Sequence, residues 1–253
     1  MMNTPVASKT LVFTVALNGY HWRYGELIRS QRRYAQRHGY QYVCVNRPRI
    51  NALGLETAWL KLSLALNALE AGYDRVFYVD ADARIRENTP SLDTLIKPGK
   101  YIYAAQGFSG RINSGVLLFT SAGPAKLMLS QILDNIDCTL PEADDVGWGE
   151  NGHIIHFLTR WDGFQELPPL WNNNHSAELA DYIRHYSAGP LRAEFPVPPS
   201  RQIPAVLFGK LANLLRRVKR LENNRRTIKQ QLPRLTDCAL SHFPLLTNPT
   251  NAK

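Results

Sequence analysis

Two aspartates, Asp80 and Asp82, stand directly after a short apolar run and could bind a divalent metal ion. The run from Val76 to Val79 is β-branched and aromatic, which is typical of a strand buried on both faces of a parallel sheet. Side chains two residues apart on an extended segment point to the same side, so both carboxylates project where the strand opens into the ligand crevice. Two anions so close repel each other, and their oxygen atoms suit Mg²⁺ or Mn²⁺. The spacing therefore predicts a divalent-metal site.

Histidines further along the chain are candidates for a third ligand. An Asp-x-Asp pair alone can also be solvated in a loop or cap a helix. His185 would complete the site if the segment 182–190, a strand followed by a Gly-Pro turn, folds back over the crevice. His153 and His156 are also close in sequence, but their apolar helix favours histidines in the core or on the surface.

Polar residues in two other segments are candidates for binding or catalysis. Asn113, Ser114 and Gly115 precede the apolar end of a predicted strand, and a glycine inside a strand commonly marks a bulge or a place where ligand meets backbone. Glu150 and Asn151 stand at the predicted start of a helix, where side chains are held in a fixed direction.

The segments that must position these residues alternate between strand and helix. In the first half, periodicity predicts strands at 11–17, 41–46 and 76–79 and helices at 22–38 and 56–71. In the second half it predicts strands at 101–105 and 111–120 and helices at 122–136 and 153–158. This order predicts an α/β fold with a mixed, mostly parallel sheet and a Rossmann-like N-terminal half.

Composition is that of a globular enzyme. The chain has 253 residues, 44% of them apolar and 10% aromatic, enough for one large α/β domain or for a domain with an appendage. Its three cysteines are far apart, which argues against a disulfide framework or a zinc knuckle. We see no secretory signal and no apolar run near the ~18 residues that span a bilayer, and we therefore expect a cytoplasmic protein.

The net charge of +9 is confined to the C-terminal segment. Residues 1–200 carry 19 Lys and Arg against 19 Asp and Glu, whereas residues 201–253 carry 11 against 2. A neutral body argues against nucleic-acid recognition. We predict a catalytic domain over 1–200 and a basic amphipathic helical tail over 201–253.

The tail has an apolar stripe at helical spacing with basic residues around it. The stripe comprises Ile203, Leu207, Leu211, Leu214, Leu215, Val218 and Leu221, and the basic residues include Lys210, Arg216 and Arg217. This pattern is typical of an interfacial helix on anionic lipid, which would place the protein peripherally on the inner face of the membrane. The alternatives are that the stripe packs on the body or on a second subunit in a homo-oligomer.

Together these pieces resemble a metal-dependent nucleotide-sugar glycosyltransferase of the GT-A fold, similar to family 8 of the galactosyl- and glucosyltransferase type or to family 34. The resemblance covers about residues 10–195. It rests on the order of five motifs: Trp59-x-Lys61 on a helix, Asp80-Ala-Asp82 after a strand, Asn113-Ser-Gly-Val-Leu-Leu, Glu150-Asn151 opening a helix, and His185-Tyr-Ser-Ala-Gly-Pro190. It implies transfer of a hexose from a UDP-sugar with retention of anomeric configuration.

The resemblance also implies roles for individual residues. It assigns Asp80, Asp82 and His185 to Mn²⁺ or Mg²⁺, which bridges the two phosphates of the UDP-sugar, with Asp80 also near the ribose. The donor would further contact Leu17, Asn18, Lys61 and Arg192, and the sugars would contact Asn113, Ser114, Gly115 and Gly189. Glu150 or Asn151 would steady the cationic sugar as the bond to phosphate breaks.

Two positions depart from the family pattern. Glu150-Asn151 stands where the family usually has Asp-Gln, which keeps a carboxylate and an amide but changes the reach of both side chains. The basic residue that usually follows His-x-x-Gly is matched only approximately by Arg192.

Two rival functions stay open. A haloacid-dehalogenase-type phosphatase also uses an apolar strand that ends in Asp-x-Asp, but there the motif follows the first strand, and Thr or Val stands where this chain has Arg84. A non-catalytic sugar-binding protein on the same fold is the other rival. For the transferase, a glycolipid or a growing lipopolysaccharide as acceptor would reconcile a cytoplasmic enzyme with a membrane-seeking tail.

Overall fold

The computed structural model describes residues 8–147, 149–187, 189–221 and 227–249. Its strands are β1 (Thr10–Val15), β2 (Gln41–Val45), β3 (Arg75–Val79), β4 (Ala83–Ile85), β5 (Ile102–Gln106), β6 (Ile112–Thr120), β7 (Phe164–Leu167) and β8 (Ile183–His185). Its α-helices are α1 (Tyr20–Arg23), α2 (Gly25–Arg37), α3 (Leu60–Glu70), α4 (Gly123–Asp134), α5 (Asn151–Leu158), α6 (Pro199–Leu221) and α7 (Ile228–His242). Short 3₁₀ helices lie at Gly54–Trp59, Leu92–Leu95, Pro169–Trp171, Pro190–Glu194 and Pro244–Leu246.

Six strands form the main sheet in the order β2-β1-β3-β6-β5-β7. The pairs β1–β2, β1–β3 and β5–β7 are parallel, and β6 runs antiparallel to both of its neighbours, β3 and β5. The predicted α/β class with a mixed, mostly parallel sheet is confirmed.

Strand β3 lies inside this sheet, with β1 on one side and β6 on the other. Its side chains from Val76 to Val79 are buried on alternate faces, as the apolar run predicts. Val76 and Tyr78 pack in the core cluster that includes α3 and α4, and Phe77 and Val79 pack in the cluster that includes Tyr34 of α2. Asp80 thus leaves the sheet from a strand fixed on both faces.

Two segments differ from what the sequence suggested. The predicted helix over 56–71 begins as the 3₁₀ helix Gly54–Trp59 and becomes α-helical only at Leu60. The segment after Arg160, for which no strand or helix was predicted, contains β7 and a 3₁₀ helix. Helix α7 lies within the predicted helical tail, as a second helix beyond the one that carries the apolar stripe.

The tail contributes two helices that contact the body differently. On α7, Leu232, Leu235 and Ala239 belong to the main core cluster, and Thr236 Oγ1 lies 2.9 Å from Ser63 Oγ of α3. Helix α6 contacts α1 and the loop before α3.

Residues 222–226 and 250–253 of the predicted tail lie outside the described residues, and the division of the chain at residue 200 stays a prediction. None of the described helices has the length and apolar content that crossing a bilayer requires.

Candidate active site

A two-stranded ribbon brings His185 to the paired aspartates. Strands β4 and β8 are antiparallel and pair Ala83 with His185, and the backbone N–H of Tyr186 donates to the carbonyl of Asp82 at 2.9 Å. The main sheet holds Asp80 independently, because its backbone N–H donates to the carbonyl of Gly115 on β6 at 2.7 Å. The two sheets therefore meet at this cluster.

The three predicted metal ligands lie together. One ligand atom from each of Asp80, Asp82 and His185 lies within 4.8 Å of the others. His185 Nε2 is 3.2 Å from Asp82 Oδ1 and 3.5 Å from Asp80 Oδ2. Two carboxylates and an imidazole at such separations can converge on one divalent ion.

The electrostatics of the cluster show strong mutual interaction. Burial raises the pKa of Asp80, although the nearby Lys61 acts in the opposite direction. Burial also acts to raise the pKa of Asp82, but the facing His185 outweighs it and the pKa of Asp82 is lowered. Burial acts to lower the pKa of His185, yet Asp82 and Asp80 together raise it. Either a protonated His185 or a bound cation would offset the negative charge of the two carboxylates.

Gly115 makes the space that this cluster occupies. A Cβ at Gly115 would lie 2.7 Å from His185 Nδ1 and 2.8 Å from Asp80 Oδ2, and closer still to His185 Cε1. Because ordinary contact begins at 3.4 Å, any larger residue would displace a candidate ligand. The predicted role of Gly115 in substrate binding stays a prediction. The structure shows a different requirement for glycine here, because a side chain would clash with His185 and Asp80.

A buried ion pair stands beside the cluster. Lys61 of α3 is only 3% exposed and its Nζ lies 2.5 Å from Oε1 of Glu150, which is 1% exposed. Ser114 joins them, with its Oγ donating to Glu150 at 2.6 Å and its carbonyl accepting from Lys61 at 3.0 Å. Burial acts to lower the pKa of Lys61, but Glu150 and Asp80 raise it, so Lys61 is charged. Lys61 is thus buried and paired, although in sequence it stands off the apolar face of its helix, where a lysine is usually solvated.

Glu150 and Asn151 use their side chains differently. Within the described part of the chain, Glu150 Oε2 is buried and has no hydrogen-bond partner. Asn151 has both ends engaged with β6, because its Oδ1 accepts from Ser114 N at 2.8 Å and its Nδ2 donates to the carbonyl of Ile112 at 3.1 Å. Of the two predicted catalytic residues, Glu150 is therefore the one whose side chain has an oxygen available to bind a ligand.

One cavity of about 470 Å³ collects nearly all of the predicted residues. Its lining includes Leu17, Asn18, Lys61, Asp80, Asp82, Asn113, Ser114, Gly115, Glu150, Asn151, His185 and Arg192. Gly189 is not part of the lining; a Cβ there would lie 2.9 Å from the carbonyl oxygen of Asn174 and 3.2 Å from Phe108 Cδ1. Gly189 therefore packs behind a residue of the cavity, and Ala188 before it lies outside the described residues.

Comparisons with known proteins gave matches only among solved structures. No protein-family model and no curated protein sequence matches the chain. A glycosyltransferase involved in glycosylation of the major capsid of PBCV-1 aligns over 79% of this chain and 98% of its own, with a TM-score of 0.56 and 10% identity. The chain has a GT-A glycosyltransferase fold.

Two further matches are weaker. GlyE of Streptococcus pneumoniae TIGR4 aligns with a TM-score of 0.47 and 17% identity, over 80% of this chain and 61% of its own. The bifunctional glycosyltransferase WbbM aligns with a TM-score of 0.48 and 11% identity, over 83% of this chain and 45% of its own. The narrower resemblance to family 8 or family 34 stays a prediction.

Three residues at this site were not identified from the sequence. Two of them, Asn172 and Asn174, are almost completely buried. Asn174 lines the cavity, and Asn172 contacts His185. The run of three asparagines after Trp171 could have indicated a buried hydrogen-bond network, since buried amides are held by hydrogen bonds. In sequence, however, such a run is also typical of an exposed loop. Tyr78, whose hydroxyl donates to Asp80 Oδ1, was interpreted only as a strand residue.

Proposed function

We propose that the protein is a metal-dependent glycosyltransferase that moves a hexose from a UDP-sugar to a saccharide or glycolipid acceptor with retention of anomeric configuration. The observation that supports this most is the convergence of Asp80, Asp82 and His185 on a cavity that Lys61 and Glu150 also line. The donor set fits a divalent ion. An imidazole nitrogen favours Mn²⁺ over Mg²⁺, whose sites are usually built from oxygen ligands.

The proposed mechanism assigns each side chain a task. Asp80, Asp82 and His185 would hold the ion, and when bound it would stabilise the negative charge on the departing nucleoside diphosphate. Lys61 would add a fixed positive charge, held in place by its ion pair with Glu150. Glu150 Oε2, which is buried without a partner among the described residues, can accept a hydrogen bond from a sugar hydroxyl or stabilise the cationic sugar.

The test is turnover of a panel of nucleotide sugars with Mn²⁺, with and without saccharide acceptors. The expected result is slow hydrolysis or transfer from one donor class, lost on addition of a chelator and in Asp82→Ala. A phosphatase would instead release phosphate from simple monoesters, and a sugar-binding protein would turn over nothing. Proton NMR of the first product formed reports whether the anomeric configuration is retained.

A thermal-shift screen of the same panel would identify the donor. A ligand present at 100 times its dissociation constant stabilises the folded protein by about 2.7 kcal/mol. If no nucleotide sugar shifts the unfolding midpoint in the presence of Mn²⁺, the proposal of a nucleotide-sugar donor is wrong.

We further propose that α6 attaches the enzyme to an anionic membrane surface. The helix rests on the body through a face of small residues and Phe208: Gly19 packs closely on Ala205, and the rings of Trp22 and Phe208 are 4.5 Å apart. Most of the described stripe residues point the other way, with Leu207 54% and Leu214 58% exposed.

Charge favours anionic lipid as the occupant of this stripe. Ile203, Val206, Leu211 and Val218 are also exposed on α6, as are Lys210 and Arg217 beside them. Each basic residue near such a surface contributes about 1 kcal/mol to binding. The body face of α6 contacts a segment that lines the cavity: Arg216 donates to the carbonyl of Ala52 at 3.2 Å and lies against Gly54, a lining residue. Attachment through α6 would hold the cavity near a lipid-linked acceptor.

Vesicle pelleting tests this attachment. Full-length protein should pellet with vesicles that contain phosphatidylglycerol and less with neutral phosphatidylcholine vesicles, and added salt should weaken the binding. The double variant Leu207→Glu and Leu214→Glu should lose binding, whereas Leu127→Glu, at an even more exposed leucine on α4, should keep it. A truncation at residue 200 is unsuitable because it also removes the core side chains of α7.

Analytical sedimentation of the same variants tests the alternative, in which a second subunit rather than lipid covers the stripe of α6. If the wild type is a dimer that the α6 double variant dissociates, and vesicles do not bind either protein, the stripe is a subunit interface and the membrane proposal is wrong. If the wild type stays monomeric and the double variant only loses vesicle binding, the proposal is supported.

A further inference from the structure

A chain of buried amides lies behind His185. Asn172, which follows the 3₁₀ helix Pro169–Trp171, is 0% exposed. Its Oδ1 lies 2.8 Å from His185 Nδ1. Its Nδ2 lies 2.9 Å from Asn113 Oδ1 and 3.1 Å from the Asn113 carbonyl. These contacts leave both ends of the Asn172 amide engaged.

The direction of each hydrogen bond in this chain follows from one backbone group. The N–H of Gly115 can only donate, and it lies 3.0 Å from the side-chain atom of Asn113 assigned as Oδ1, which must therefore be an oxygen. The same oxygen lies within hydrogen-bond distance of Asn172, so the Asn172 atom that faces it must be the NH₂ group. The backbone carbonyl of Asn113, which can only accept, faces the same atom and leads to the same assignment. The remaining atom of Asn172 is then oxygen, and His185 Nδ1 must carry a proton.

A histidine protonated on Nδ1 keeps its lone pair on Nε2 when neutral. In this site Nε2 is the atom 3.2 Å from Asp82 Oδ1 and 3.5 Å from Asp80 Oδ2. The lone pair is therefore directed toward the two carboxylates that complete the candidate metal site. The opposite tautomer would put a proton there and block coordination.

We propose that Asn172 is a positioning residue that selects the metal-binding tautomer of His185. The inference rests on the proposed metal role of His185. Asn172 never touches the ion; it acts through the ring and is itself aligned by Asn113 and Gly115. Outer-shell partners of this kind typically change metal affinity by about 10- to 100-fold.

The test reads the tautomer directly, without metal or donor. In ¹⁵N-labelled, metal-free protein at alkaline pH, where imidazole is neutral, the two ring nitrogens of His185 have distinct shifts, and His185→Gln identifies its signal among the seven histidines. We expect a proton on Nδ1, although the two carboxylates beside Nε2 draw a proton to that nitrogen when no ion is bound. Asn172→Leu removes the acceptor that faces Nδ1 and should lose this preference.

Mn²⁺ titration provides the second measurement. Asn172→Leu should bind Mn²⁺ about 10- to 100-fold more weakly than wild type. Asn173→Leu is the matched control, because Asn173 is equally buried but directs its side chain to Ser176 and Asp181; it should leave tautomer and affinity unchanged. A wild-type proton on Nε2, or an Asn172→Leu variant with unchanged tautomer and affinity, would overturn the inference. Absence of sugar transfer with these results intact would count only against the proposed reaction.

Discussion

Gly115→Ala should destroy the candidate metal site while leaving the fold in place. The new Cβ would lie 2.7 Å from His185 Nδ1, and ordinary contact begins at 3.4 Å, so the ring must move by about 0.7 Å or more. Metal ligands tolerate displacements of only about 0.2 Å. Since His185 is also held by Asn172 and Asp82, the shift breaks contacts on both sides of the ring. We expect overpacking to cost about 1–3 kcal/mol of stability and Mn²⁺ affinity to fall at least about 100-fold.

The assay is Mn²⁺ titration followed by electron paramagnetic resonance, with urea unfolding of the same metal-free samples. Gly123→Ala is the control, because a Cβ there meets nothing within 4 Å. It should bind Mn²⁺ as wild type does, and its unfolding midpoint should stay the same or rise slightly. Unchanged Mn²⁺ affinity in folded Gly115→Ala would refute the packing argument, and with it the position assigned to His185.

Three further predictions concern stability. Lys61→Met leaves Glu150 buried without its cation and should cost about 3–5 kcal/mol in urea unfolding, part of which Glu150→Gln in the same chain should restore. The hydrogen bond from His156 lowers the pKa of Asp144, so Asp144 stabilises the fold above its unfolded pKa and this stabilisation disappears as pH falls through the folded pKa; Asp144→Asn should flatten that acid limb in urea titrations. Leu235→Ala on α7 should cost about 2–5 kcal/mol, and a cost below about 0.5 kcal/mol would show that α7 is not part of the core.

The main sheet and the paired aspartates were predictable because their signals are local. The run from Val76 to Val79 is long enough to identify a buried strand, and Asp80 and Asp82 follow it directly. The ribbon of β4 and β8 was not predictable as a pair, because three-residue strands show no periodicity and their partner is distant in sequence. His185 could therefore be proposed as a ligand only on the condition that its segment folds back over the crevice, a role that the family resemblance also implied.

Burial of polar residues was the other limit. Lys61 looks like a surface lysine in sequence because the residue that neutralises it, Glu150, lies far along the chain. Asn172 looks like a loop residue because its hydrogen-bond partners belong to β6 and β8. In α7 the basic residues of the tail obscured the face that carries Leu232 and Leu235. In each case contacts with distant parts of the chain bury residues that local sequence suggests are exposed.

The meeting of two sheets at one cluster links ion occupancy to local order. Asp80 follows a strand of the large sheet, whereas Asp82 immediately precedes the two-stranded ribbon and His185 ends it. A cation shared among them would tie the ribbon to the large sheet. Removing the ion should therefore speed amide hydrogen exchange in β8 more than in β3, and the wall of the cavity that carries His185 should open locally before the protein unfolds.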